Sequence, residues 1–244
     1  MIKLPAHENT SPARENRKRL QERFLRGALD GFHSTEILEF LLAYASPRAD
    51  VKACVRSLVE RFGDIRGVFD ASIDELSAAG MNENAAILIK LVKDVAGEYL
   101  KERMTGKDVI GSPADLLDYL NLTLSGERVE KFLAIYLNSN NEALAIEVLH
   151  EGTINQTVVY PRKAIELAFR HNAHSVIFVH NHPSGDAAPS RVDRELAGAL
   201  DRAAEAVDLI VHDHIIIGRD THFSARENGW FSGPPSGTAG PDIR

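Results

Sequence analysis

The 244-residue chain is short of cysteine, with Cys54 alone, and holds only three methionines and one tryptophan. A single cysteine cannot close an internal disulfide, so nothing points to an oxidising compartment, and a thiolate-built structural zinc site is excluded. Cys54 reads as a small core hydrophobe before it reads as a nucleophile. Long apolar runs are missing as well. No stretch approaches the ~18 residues that span a bilayer, and the N-terminal MIKLPAHENTSPARENRKRL lacks the apolar segment of a signal peptide. These absences lead to the expectation of a cytoplasmic protein without a membrane partner. Nor is there an excess of positive charge: 28 Lys and Arg against 35 Asp and Glu leave −7. That balance argues against a globally basic nucleic-acid binder, although a local patch remains compatible with it. What is present is a globular mixture, 44% hydrophobic and 26% charged, with enough apolar side chain for a real core. At this length it suits one large domain or two modest ones.

Residues 1–16 are polar, contain Pro5 and Pro12, and are expected to form a flexible arm. From Arg14 to Arg26, the basic Arg14, Arg17, Lys18, Arg19, Arg23 and Arg26 face only Glu15 and Glu22. Such a run is either a solvated helix face or a binder of phosphate or another polyanion. Residues 17–103 carry helical periodicity and predict a small all-α domain. Its signals are Ile37, Leu38, Leu41 and Leu42 after Ser34, then Val51, Val55, Leu58, Val59 and Phe62 before Gly63. A short helix is expected over Ile73–Ala79, and a longer one from about Asn84 to Glu102 with Ile87, Leu88, Leu91, Val92 and Val95 facing inward. Residues 104–112, with two glycines, read as a linker. Pro113–Leu124 reads as a helix with Ser112 as its cap and proline at its first position.

After Gly126 the period changes. Phe132–Leu137, Leu144–Leu149, Ser175–Val179 and Leu209–Ile217 are of strand length, interleaved with helices opened by Pro161 and spanning Ser190–Val207. The expected inner face of that last helix is Val192, Leu196, Ala199, Leu200 and Ala203. Residues 113–231 therefore predict an α/β domain with Trp230 as an anchor into its core. The Gly- and Pro-rich 232–244 predicts a disordered tail.

The chemistry concentrates in His180-Asn181-His182-Pro183-Ser184-Gly185 and the Ser190 to Asp193 stretch that follows. Two histidines two apart at a strand end turn both imidazoles to one side. Asp193, in the first turn of the next helix, can face back toward them. Two imidazoles and a carboxylate make a three-ligand Zn²⁺ set with a fourth position left for water. A plainer account also fits: Ser190 with Asp193 is close to a capping box that needs no metal. His212-Asp213-His214 forms a second His-x-His, read as an independent metal site or, preferably, as groups that orient a metal-binding imidazole. His171 and His174 read as stabilisers of the preceding helix's C-terminus.

These residues resemble the JAMM (MPN+) metalloprotease motif: His-x-His-Pro, six residues, Ser, two residues, Asp. The longer string from His180 to Asp193, with Asp213-His214-Ile215-Ile216-Ile217-Gly218, Gly152-Thr153-Ile154 and Tyr160-Pro161-Arg162, looks specifically like the RadC family. The resemblance implies a JAMM/MPN (cytidine-deaminase-like) fold for residues 113–231. It implies that His180, His182 and Asp193 bind Zn²⁺ and that Ser190 places a hydroxyl beside the substrate oxyanion. JAMM enzymes also use an upstream glutamate on the zinc-bound water, here Glu130, with Glu127, Glu147 and Glu151 as competitors. The implied activity is zinc-dependent peptide or isopeptide hydrolysis, with a peptide or protein as substrate. Residues 61–86 resemble a helix-hairpin-helix DNA-backbone module, with Gly80-Met81-Asn82 in place of its Gly-apolar-Gly turn and Glu83 where a phosphate would approach. The alternative expectation is therefore a DNA-repair-associated, DNA-binding protein whose metal domain is accessory or catalytically silent.

Overall fold

The computed structural model describes residues 12–46, 50–111, 113–152 and 160–231. The chain divides into two compact units, one ending at Val95 and the other beginning at Ala96.

In the first unit, α1 (Pro12–Gly27) is followed by α2 (Ser34–Ala45), α3 (Lys52–Phe62), α4 (Ile65–Asp70), α5 (Ile73–Ala78) and the opening turns of α6 (Glu83–Met104). Leu38, Leu42, Val55, Leu58, Val68, Leu76 and Ile89 form its core. The arm expected over 1–16 is helical from Pro12 onward, because Leu20 gives α1 an apolar residue to bury. Residues 1–11 lie outside the described residues. The basic run of α1 is partly committed to α2: Arg19 and Arg23 pair with Glu36, and Arg17 lies over the Tyr44 ring.

The apolar face of α6 differs from expectation. Ala85, Ala86 and Ile89 are buried, whereas Ile87, Leu91 and Val95 are exposed. Two apolar rows run along this helix, and the row containing small alanines allows the closer approach to the core. Gly80 adopts a left-handed backbone (φ 92°), while Asn82 caps α6 by accepting a hydrogen bond from Ala85 N at 2.9 Å. Thus Asn82 serves as a helix cap and does not copy a second glycine's backbone.

The second unit begins within α6. Residues 104–111 are not a free linker: Met104 and Val109 are buried, and Thr105 and Asp108 bridge to Ala143 and Glu142. The end of this stretch, Ser112, lies outside the described residues, as does the tail 232–244. After α7 (Pro113–Leu124) come β1 (Lys131–Leu137), β2 (Ala143–Glu151), α8 (Pro161–Arg170), β3 (Ser175–Asn181), α9 (Arg191–Glu205), β4 (Ile210–Ile217) and β5 (His222–Ser224). Strand order is β2-β1-β3-β4-β5; β3 and β4 are parallel, and all other pairs are antiparallel.

Both faces of the sheet are covered, which is why β3 is buried along its whole length and reads as an unbroken apolar run. Phe132, Tyr136, Phe178 and Val211 pack with Leu167 of α8 and Leu196 and Leu200 of α9 on one face. Leu133, Ile135, Ile177 and Ile215 pack with Leu116 and Leu120 of α7 on the other. On α9 the buried small residues are Ala197 and Ala204, in place of the expected Ala199 and Ala203. Trp230 packs against this core, 5.1 Å from the Phe223 ring. Among the described residues, no helix is long and apolar enough to cross a membrane.

Candidate metal centre

The antiparallel register of β1 and β3 sets Phe132 opposite His180. One end of the sheet thereby gathers the segment before β1, the end of β3 and the loop leading into α9. Beyond His180, the parallel pairing to β4 continues for one more bond, from His182 N to Ile217 O at 2.9 Å. Pro183 cannot donate to a ladder, and the chain turns away there. Gly185 takes a left-handed backbone (φ 85°), and its N–H closes the turn onto His182 O. The loop returns to Ser190, the N-cap of α9.

Four side chains converge there: Glu130, His180, His182 and Asp193 each bring one donor atom to within 4.8 Å of the others. His180 Nε2 lies 3.1 Å from His182 Nε2 and 3.4 Å from Asp193 Oδ1, and His182 Nε2 lies 3.5 Å from Asp193 Oδ2. Tetrahedral Zn²⁺ with bonds of ~2.0–2.1 Å spaces its ligands by about 3.3 Å, so these separations suit such a cation. The opposite ring nitrogens are already engaged. His182 Nδ1 lies 2.8 Å from Asp186 O, and His180 Nδ1 lies 2.8 Å from His214 Nε2. A carbonyl can only accept, so His182 donates from Nδ1 and its Nε2 is left to face the cluster, as a lone pair toward a cation or, without one, as an N–H toward Asp193. The donor set therefore fits a divalent metal.

The capping box and the four-residue cluster coexist. Ser190 Oγ accepts from Asp193 N at 3.2 Å, and Ser190 N donates to Asp193 Oδ2 at 2.6 Å. Burial by itself would raise the Asp193 pKa, yet hydrogen bonds from His180, His182 and Ser190 outweigh it and hold the carboxyl far below its ordinary value. His182 is shifted upward, chiefly by its bond to Asp193. His214 is fully enclosed, and burial pushes it well below 6.5, with His180 adding to the effect.

The competing glutamates are occupied elsewhere. Glu127 and Glu151 pair with Lys131 at 3.0 and 3.9 Å, and Glu147 lies 2.8 Å from His171 Nε2. Ser190, exposed, lines an open cleft of about 360 Å³ with Glu130, His182, Pro183, Ser184 and Val192. Of the second His-x-His, only His214 reaches the cluster; His212 Nε2 lies 2.9 Å from Asn141 Oδ1. His171 serves as a carboxylate partner as well as the C-cap of α8. Asn181, which carried no assignment from its sequence position, is buried and binds the backbone on both sides of Glu130. A polar residue held between two ligand-type histidines is the one signal that could have drawn notice to it.

The model of the RadC-like JAB domain matches residues 110–230. A UPF0758 protein of Ruegeria pomeroyi is 37% identical over 218 residues, covering 89% of this chain and 97% of that protein. The chain belongs to the RadC family. A second relative, a UPF0758 protein of Fusobacterium nucleatum subsp. nucleatum, is 36% identical over 222 residues, covering 88% and 96%. The RadC-like JAB domain thus occupies the C-terminal part of this family member, after a helical region. Within that domain lie all four residues of the cluster, and Gly152-Thr153-Ile154 lies there too, of which Thr153 and Ile154 are outside the described residues.

Proposed function

We propose that this RadC-family chain is a JAMM-type zinc hydrolase, a peptidase or isopeptidase on a cytidine-deaminase-like sheet. In this reading His180, His182 and Asp193 hold Zn²⁺, Glu130 transfers protons and Ser190 stabilises the oxyanion. The observation that carries it is the turning of two imidazole nitrogens and two carboxylates into one point beside an open cleft. When bound, the cation supplies Lewis acidity, lowering the pKa of a water toward ~7 and polarising a carbonyl.

The protein supplies the rest. His182 is fixed in the required tautomer by Asp186 O, and Asp193 is pinned as an anion by Ser190 N. Glu130 takes one proton from the attacking water and delivers it to the amide nitrogen as the C–N bond breaks. Water adds across that bond, giving a carboxylic acid and an amine. Ser190 Oγ accepts a backbone hydrogen bond and keeps its own O–H for donation to the carbonyl oxygen as charge develops there. Removal of such a donor typically costs ~10²–10³ in rate.

The test is metal content and hydrolysis on the full chain. Wild type should carry about one zinc per chain and cleave members of a fluorogenic peptide and isopeptide library, whereas Asp193→Ala should carry much less metal. Glu130→Gln should retain zinc and lose ~10²–10⁴ of the rate. Metal-free wild type after preparation without chelators and supplementation with zinc would overturn the reading. Unchanged cleavage by Glu130→Gln would do the same.

A further inference from the structure

We infer that Asn181 is a positioning residue that sets where Glu130 stands relative to the metal ligands; this rests on the reading of Glu130 given above. A strand that turns His180 and His182 to one face turns Asn181 to the other. There the carboxamide reaches across the start of β1. Its Oδ1 accepts from Lys131 N at 2.8 Å, and its Nδ2 donates to Val129 O at 3.2 Å and to Glu127 O at 3.3 Å. The backbone groups immediately before and after Glu130 are therefore held by one side chain. Glu130's own carbonyl accepts from Gly152 N at 2.9 Å, so three successive backbone sites are tied down.

The segment needs such a clamp because β1 begins only at Lys131, leaving residues 127–130 without a ladder of their own. A carboxylate that must meet one point of the cluster loses function if its backbone drifts by about 1 Å. Asn181 is 1% exposed, so no water can replace these bonds without opening the site. Because Asn181 lies between the two histidines, one short piece of β3 fixes both the ligands and the proton-transfer group. The linkage is covalent on the ligand side and carried by three hydrogen bonds on the Glu130 side.

The experiment uses the full chain loaded with Co²⁺, compared as wild type, Asn181→Ala, Glu130→Gln and the double variant. Asn181→Ala should still bind about one cobalt per chain with His180, His182 and Asp193 intact. Its visible absorption should change as it does in Glu130→Gln, and the double variant should show no further change. In the metal-free protein, the Lys131 amide of Asn181→Ala should exchange with solvent about tenfold faster, matching the loss of one buried hydrogen bond. A thermal melt checks that the variant folds. If it does not, Asn181→Asp has nearly the same shape, keeps the acceptor for Lys131 N, and removes both donors, so the spectral comparison stands on that variant. A cobalt spectrum like wild type in a folded Asn181 variant overturns the inference, provided Glu130→Gln does alter the spectrum. No spectral change in Glu130→Gln instead overturns the placement of Glu130 at the metal, and the inference falls with it.

Discussion

On the proposed reading, in which His180 holds the metal, His214 stands behind that ligand and bears on how its ring is oriented. For His180 to offer Nε2 as a neutral ligand, its ring proton must reside on Nδ1, and the group facing that proton is His214 Nε2 at 2.8 Å. His214 must then be an acceptor there and carry its own proton on Nδ1, a buried atom with no hydrogen-bond partner among the described residues. An orphaned buried donor costs ~1–3 kcal/mol, so this arrangement is retained at a loss unless the orientation of His180 matters. Replacing His214 with leucine should therefore weaken metal binding by ~10–100-fold, and His214→Gln, which can still accept, should lose less. Competition against a coloured chelator reads both values; equal affinities for wild type and His214→Leu would remove the role. The imidazole pair at 180 and 182 was legible because strand parity alone puts both rings on one side. The contribution of His214 was half legible, as one member of a second His-x-His. Its actual partner depends on the β3–β4 register, which no local pattern encodes. The same is true of Asn181, whose bonds span about fifty residues of chain.

At the scale of elements, the loop between β3 and α9 is shaped by its neighbour after β4. A side chain at Gly218 would meet Gly185 O at 2.6 Å and Ala187 N at 2.9 Å, both backbone atoms that cannot rotate aside. Arg219 N also bonds Gly185 O at 2.9 Å, so the two loops are stitched together at the point of closest approach. Gly218→Ala must push residues 185–187 outward, carrying Asp186 O away from His182 Nδ1. The expected result is a loss of about 1–3 kcal/mol in stability with weaker metal binding, measured by urea denaturation and by zinc competition. A variant that unfolds at the wild-type urea concentration and binds zinc as tightly would show that the loop yields freely.

Elements with strong periodicity were readable in advance: α7, β1, β3, β4 and α9 all appear where the apolar patterns put them, give or take a residue or two. The misses have physical causes. α4 and β5, of six and three residues, are too short to establish a period. On α6 two apolar rows competed, and packing distance, not hydrophobicity, chose between them. On α9 the N-cap was legible, and the structure shows the capping box and the Asp193 contacts to both histidines in one side chain, because a carboxylate has two oxygens.

At the scale of the molecule, the change from helical to alternating periodicity announced two kinds of structure, but not where one compact unit gives way to the other. Glycine content marked residues 104–112 as the break, whereas the units divide within the uninterrupted α6. Burial of Met104 and Val109 is a tertiary fact that composition cannot report. The first unit carries its own electrostatic signature, which makes its stability separately testable. Glu36, in the first turn of α2, is bound by the Arg23 guanidinium and assisted by His33 N and Arg19, which together bring its pKa from 4.5 to about 2. A carboxyl whose folded pKa is depressed binds fewer protons folded than unfolded, so its stabilising contribution is complete above about 4.5. That contribution drains away as pH falls toward about 2. Glu36→Gln has no such proton to take up, so its stability should lie below that of wild type at neutral pH and converge on it in acid. Trp230, the only tryptophan, lies in the second unit, so its fluorescence follows that unit while far-ultraviolet circular dichroism follows both. The Glu36-dependent loss should appear in the dichroism melt as a midpoint that falls further below pH 4.5 in wild type than in Glu36→Gln. That difference should be absent from the Trp230 trace, whose own acid response follows Asp193 of the second unit and is the same in both proteins. Parallel acid profiles for wild type and Glu36→Gln would mean that the Arg23 pair is too weakly held in solution to shift the carboxyl.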